Sequence, residues 1–138
     1  WGLSAVLADG NSSTRILLAE DNPLNQKVTM LMLGRLGYKA DAVDSGQKVL
    51  DAFKSRSYSL VLMNIRLPEM DGLTAARKIR SLCPDWQQPW IIAFTAYICP
   101  GSRDACLNAG MDDFMAKPVR LNELGGMMRK YLSSGRSI

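Results

Sequence analysis

At 138 residues the chain is sized for a single domain, long enough to bury roughly two-thirds of its unfolded surface. Its 47% hydrophobic and 22% charged residues are ordinary for a globular protein, and the lysines and arginines behind its net charge of +4 are too scattered for a nucleic-acid stripe. The lack of histidine excludes histidine catalysis, histidine-bound metal and phosphohistidine within this chain, three cysteines without a CxxC spacing argue against a zinc site or a disulfide framework, and no apolar run approaches the ~20 residues of a membrane span.

Residues 1–14 end in DGNSST and read as a linker or the end of an upstream region. The chain opens at Trp1 without a methionine or a signal-peptide pattern, which suggests a piece of a longer protein. Cys83, Cys99 and Cys106 read as reduced thiols, so the expected setting is cytoplasmic. RILLA (15–19) is a continuous apolar run ending at Glu20 and Asp21, the pattern of a buried strand feeding a polar loop. Pro23 opens a helix in which Leu24, Val28, Leu31 and Met32 recur at helical spacing to about Leu36, where Gly37 stops it. KADAV (39–43) is a second strand. Asp44 and Gln47 have the spacing of a capping box for a helix with Val49, Leu50 and Phe53 on its apolar face.

LVLM (60–63) is a third strand, followed by a helix over about 72–82 that Pro84 ends. WIIAFT (90–95) is a fourth strand, and a short helix runs from Pro100 to Gly110. DFMA (113–116) is a fifth strand; after Lys117-Pro118 a last helix carries Leu121, Leu124, Met128 and Leu132 on one face, and 133–138 form a flexible tail. Five strands alternating with five helices predict an α/β fold, a doubly wound parallel sheet covered on both faces. In such sheets ligands bind beyond the carboxyl ends of the strands, where the strand order reverses.

The residues at those ends carry chemistry. Strand one ends at Glu20 and Asp21, strand three at Asn64, strand four at Thr95 and strand five at Lys117. Two adjacent carboxylates suit a hard divalent cation such as Mg²⁺. A hydroxyl and an ammonium nearby suit phosphoryl oxygens, so the set points to phosphoryl transfer with its nucleophile at position 64. Each member alone is weak, since acidic pairs often sit in solvated loops and threonines often cap strands. The combination in this order is far more specific.

ILLAEDNPLNQKV, LVLMNIRLPEMDG, IIAFTA and GMDDFMAKPVRLNEL resemble the sequence blocks of the receiver domain of two-component response regulators, over about Arg15 to Leu132. EDNPLNQKV and GMDDFMAKP look most like receivers of hybrid sensor histidine kinases. The resemblance implies a CheY-like, flavodoxin-like fold with strand order 2-1-3-4-5. It assigns Glu20 and Asp21 to an Mg²⁺ site completed by position 64 and the backbone carbonyl of Arg66. Asn64 stands at the phosphoacceptor aspartate, Thr95 at the switch hydroxyl, Phe114 at the aromatic that moves with it, and Lys117 at the lysine that pairs with acceptor and phosphate. The family usually has a cis bond before Pro118. Implied partners are a histidine kinase or histidine phosphotransfer protein, or kinase domains of the same chain, with no nucleic acid or membrane contacted by this domain.

Asparagine at position 64 changes the chemistry. Its amide is neutral, with the nitrogen lone pair delocalised into the carbonyl, so no useful acyl phosphate is expected. A three-charge cation site falls to two charges, which weakens Mg²⁺, and Lys117 loses an ion-pair partner while the amide oxygen remains able to accept its hydrogen bond. Relief of like-charge crowding is expected to stabilise the fold modestly. Asp71 is no substitute nucleophile, because a helix-start carboxylate facing the dipole is the expected role. Two explanations stand side by side: a natural pseudo-receiver that works by binding partners, or an ordinary receiver locked unphosphorylated by an engineered change. The domain itself is not expected to be an enzyme, while the hybrid likeness implies a sensor histidine kinase as its parent chain.

Rival classes lack parts. No GxGxxG or GxxxxGK[ST] follows any strand, which leaves a nucleotide-binding enzyme without its phosphate loop. A two-metal phosphatase or nuclease lacks a further carboxylate and any histidine. The resemblance puts the partner surface at about 100–132, with Met127, Met128 and Tyr131 as candidate contacts, at least half of them needed for core packing.

Overall fold

Continuous apolar runs build the centre of the sheet. In the computed structural model RILLA is β1 (Arg15–Ala19), LVLMN is β3 (Leu60–Asn64) and WIIAFT is β4 (Trp90–Thr95). The polar-edged KADAV and DFMA are β2 (Lys39–Val43) and β5 (Asp113–Ala116) at the margins. All pairings are parallel, in the order β2-β1-β3-β4-β5. The structure describes residues 15–96 and 101–132, without the side chain of Trp86; the expected linker, tail, Cys99 and helix start at Pro100 lie outside these residues.

Five α-helices cover the sheet among the described residues: α1 (Pro23–Arg35), α2 (Gly46–Ser55), α3 (Gly72–Leu82), α4 (Ser102–Asn108) and α5 (Leu121–Leu132). Strand residues alternate between two cores, as the two-residue period requires. Leu17, Val61, Met63 and Ile91 meet Val49 and Leu50 of α2, Ala75, Ala76 and Ile79 of α3, and Cys106 of α4. Ile16, Leu18, Leu62 and Phe94 meet Leu33 of α1 and Leu124 and Met128 of α5. Each fully buried leucine or isoleucine contributes on the order of 2 kcal/mol.

Three local expectations need correction. Ser45, not Asp44, caps α2: its hydroxyl accepts the Lys48 N–H at 3.2 Å. Asp44 instead pairs with Lys48 Nζ at 2.9 Å, and Gln47 donates to Asp51 at 3.2 Å. The helix starts at Gly46, which lies against the loop after β3, where a Cβ would come within 1.9 Å of the Met70 carbonyl oxygen. The stripe Leu24, Val28, Leu31 points outward, with Leu24 69% and Leu31 60% exposed; Thr29 and Leu33 face the sheet. With apolar and polar residues interspersed around the helix, the sequence does not announce which side is buried. A 3₁₀ turn at Asp85–Gln87, unanticipated, joins α3 to β4.

Arg80 of α3 ties this region together. It donates to the carbonyls of Gly110 and Pro89 at 2.7 Å and to Gln88 Oε1 and Asp112 Oδ2 at 2.8 Å. The same Asp112 oxygen accepts the Ile91 N–H at 2.8 Å, which fixes the start of β4.

Candidate functional site

The parallel order brings the carboxyl ends of β1, β3, β4 and β5 to one edge, where the strand order reverses at β1 and β3. Glu20 follows β1 and is 1% exposed; Asn64 and Thr95 end β3 and β4 and are buried. Asp21 is exposed at the rim. Lys117 follows β5, its N–H donating to the Thr95 carbonyl at 2.8 Å, and the Lys117-Pro118 bond is cis.

Four of the expected residues share one hydrogen-bond network. Asn64 Nδ2 donates to Glu20 Oε2 at 3.1 Å and to Asp21 Oδ1 at 3.2 Å. Lys117 Nζ pairs with Glu20 Oε1 at 2.5 Å and lies 5.8 Å from the centre of the Phe94 ring. The lysine has therefore taken Glu20 as its ion-pair partner, although the amide oxygen of Asn64 is also able to accept a hydrogen bond from it. With Asn64 neutral, the remaining buried carboxylate is the stronger acceptor for an ammonium. Two carboxylates against one ammonium leave a single negative charge in excess.

The other expected residues lie around these four. Arg66 is exposed in the loop after β3. Phe114 is half-buried on β5 opposite Ala93, with the Arg103 guanidinium 5.9 Å from its ring centre. Asp71 caps α3, its Oδ1 accepting the Thr74 N–H at 2.8 Å. Of the three residues named for a partner surface, Met128 is fully buried, and Tyr131 packs on Trp90 and donates to Asp113 at 2.7 Å.

Gln26 was not anticipated. From α1 its amide donates to the Glu20 carbonyl at 3.0 Å and the Val43 carbonyl at 3.4 Å, clamping the ends of β1 and β2. Asn22 caps α1 through Asn25, and its own N–H donates to Glu20 Oε2 at 3.1 Å. A polar side chain in the first turn after an acidic pair was the available signal. The loop beyond Asn64 is pinned at Gly72, whose N–H donates to the Ile65 carbonyl at 2.7 Å. Burial pushes the thiols of Cys83 and Cys106 upward, which makes both poor nucleophiles.

Hard divalent cations take oxygen ligands. Here the Asn64 atom facing Glu20 and Asp21 is nitrogen, and its N–H groups point at both acids. Among the described residues no three His, Cys, Asp or Glu side chains gather into a metal-binding group. As arranged, the donor set does not fit a resident Mg²⁺.

A family model described as the response regulator receiver domain matches residues 16–129. The chain belongs to the response regulator receiver family. This receiver is 39% identical over 121 residues to hybrid signal transduction histidine kinase F of Dictyostelium discoideum, a match covering 86% of this chain but 11% of that protein. The receiver domain of the sensor histidine kinase PA1611 from Pseudomonas aeruginosa is 40% identical, with a TM-score of 0.80 over 88% of this chain and 98% of that one; its crystal structure has magnesium coordinated in the active site cleft. The receiver domain of the Saccharomyces cerevisiae response regulator Ssk1, crystallised with the histidine phosphotransfer protein Ypd1, is 25% identical, with a TM-score of 0.79 over 87% of this chain and 89% of that one. The strand order and five helices are those expected of a CheY-like receiver.

Proposed function

We propose that this receiver is a phosphorelay module that does not accept a phosphoryl group. The observation that carries this is Asn64 at the acceptor position, its amide nitrogen bonded to Glu20 and Asp21. An amide oxygen carries no full charge for attack on phosphorus, and here the two neighbouring acids orient the nitrogen. Glu20, Asp21 and the Arg66 backbone carbonyl are the oxygen ligands left for Mg²⁺, one charge short of a three-carboxylate site, so cation affinity is lowered. Thr95 and Lys117 keep the positions that suit phosphoryl oxygens, with Phe114 as the moving aromatic.

The hybrid-kinase likeness makes a kinase core in the same protein the expected neighbour, and the thiols suit the cytoplasm. Incubation with Mg²⁺ and acetyl phosphate, followed by intact mass, tests the proposal. No gain of a phosphoryl group is expected for this chain, and a stable gain would sink it. Asn64→Asp is expected to label, because Glu20, Asp21, Thr95 and Lys117 are all present.

A second reading, phosphorylation-independent binding, draws on the surface beside the pocket. Leu24, Val28 and Leu31 are exposed along α1, next to a groove of about 400 Å³ lined by Leu24, Val28, Phe94, Lys117, Pro118 and Val119. Contiguous exposed apolar groups of this kind mark interaction surfaces. The partner class is a histidine phosphotransfer or kinase domain. Equal binding of such a domain by this chain and by its Asn64→Asp variant is the expected result.

A further inference from the structure

We propose that the Asn64 amide serves as an internal substitute for a divalent cation, holding Glu20 and Asp21 together without metal. The proposal deepens the preceding one, on which it rests for treating these residues as the family's cation site. Asn64 Nδ2 lies 3.1 Å from Glu20 Oε2 and 3.2 Å from Asp21 Oδ1, between one carboxylate from the buried end of β1 and one from its rim. Both contacts are charge-assisted hydrogen bonds, the strong kind. The other Glu20 oxygen is held by Lys117, and the Asn22 N–H adds a second donor to Oε2.

The orientation follows from charge alone. Turning the amide over would aim its oxygen at two carboxylates, three acceptors with no donor between them. A cation demands that turned-over arrangement, since it takes oxygens and repels N–H groups. Binding Mg²⁺ therefore breaks both hydrogen bonds and rotates the side chain. Asn64 acts as a competitor of the metal, not as a weak ligand for it, and the acids are neutralised by residues of the chain itself.

The two roles predict opposite results for Asn64→Ala. A weak ligand, once removed, leaves a site that binds Mg²⁺ less well than the original chain. A competitor, once removed, leaves a site that binds more tightly although an oxygen has been lost. Mg²⁺ titration of the chain and two variants, followed by calorimetry and thermal melting without any phosphodonor, reads this directly. Expected affinities rise in the order original chain, Asn64→Ala, Asn64→Asp, with roughly 10- to 100-fold between the ends. Melting of the original chain is expected to ignore Mg²⁺, while both variants melt higher when it is added. Weaker binding by Asn64→Ala than by the original chain overturns the proposal.

One measurement needs no variant. In ¹⁵N–¹H spectra the Asn64 side-chain NH₂ signals are expected to hold their positions as Mg²⁺ is added. Large shifts at low Mg²⁺ would show the amide oxygen ligating readily, against the proposal. Failure of the inert-acceptor proposal looks different, because it appears as phosphoryl mass in the acetyl phosphate assay and leaves the order of Mg²⁺ affinities untouched.

Discussion

Lys117 and Glu20 form an ion pair across the carboxyl edge of the sheet, between the loop after β5 and the end of β1. Glu20 is 1% exposed at its side chain and Lys117 17%, so the pair is largely withdrawn from solvent. Removing one partner of a buried pair strands the other, at a typical cost of about 3–5 kcal/mol. Lys117→Met is expected near the lower end, because Asn64 and Asn22 still donate to Glu20. Combining it with Glu20→Gln is expected to cost less than the two single changes together. Urea denaturation of the four proteins in the cycle checks this, and strict additivity would show that the pair contributes nothing of its own.

That pair also shows where sequence reasoning ran short. The strands were legible because buried parallel strands are continuous apolar runs, and RILLA, LVLM and WIIAF are such runs. The ends of those runs and of DFMA point to Glu20, Asn64, Thr95 and Lys117. What linear order does not carry is the direction of a polar group. Asn64 offers one donor face and one acceptor face, and only the arrangement of Glu20 and Asp21 around it selects the donor. The cap of α2 failed for a similar reason. Asp44 and Ser45 are both good caps, and residue type alone does not choose between them; Ser45 accepts the Lys48 N–H while Asp44 pairs with the Lys48 ammonium.

Glycines in this receiver separate into two kinds by what a methyl group would meet. At Gly72 a Cβ would lie 2.4 Å from the Asn64 carbonyl oxygen and 3.0 Å from Ile65 Cα, both backbone atoms. Gly72→Ala is therefore expected to displace the end of β3 and destabilise by about 1–3 kcal/mol. At Gly126, inside α5, nothing lies within 4 Å of the added Cβ. Gly126→Ala is expected to stabilise by about 0.5–1 kcal/mol through helix propensity. Denaturation midpoints that moved in the same direction for both would contradict this account. Side-chain amide spectra of Gly72→Ala should additionally report a disturbed Asn64.

Alkaline pH probes the other end of the sheet. Burial first, then the hydrogen bond donated to Asp41 Oδ2 at 2.8 Å, push the Tyr58 hydroxyl up to about 12. Its folded value thus lies above the unfolded value of about 10. As pH rises past about 10 the unfolded chain releases this proton first, so stability falls until the folded form also ionises near 12. Tyr131, half-buried against Trp90 and bonded to Asp113, is raised as well and adds a loss of the same sign. Tyr58→Phe is expected to lower stability at neutral pH and to flatten the alkaline slope. Urea midpoints followed across the alkaline range decide it; an unchanged slope would remove Tyr58 from the explanation.

The α1 helix offers a test that separates folding from recognition on a single element. Leu33 is fully buried against the sheet, whereas Leu24 and Leu31 are 69% and 60% exposed. Leu33→Ala is expected to cost about 2–5 kcal/mol, the usual range for emptying a packed leucine site. Leu24→Ser and Leu31→Ser are expected to stay within about 0.5 kcal/mol of the original, as surface changes do. If a phosphotransfer or kinase domain covers this face, the two serine variants lose affinity for it while their melting temperatures hold. The Asn64→Asp background provides a readout for the same surface, since phosphoryl transfer from such a domain should slow when α1 is made polar, whereas labelling by acetyl phosphate, which needs no docking face, should not. Slowing of both reactions alike would place the effect in the pocket and not on the helix.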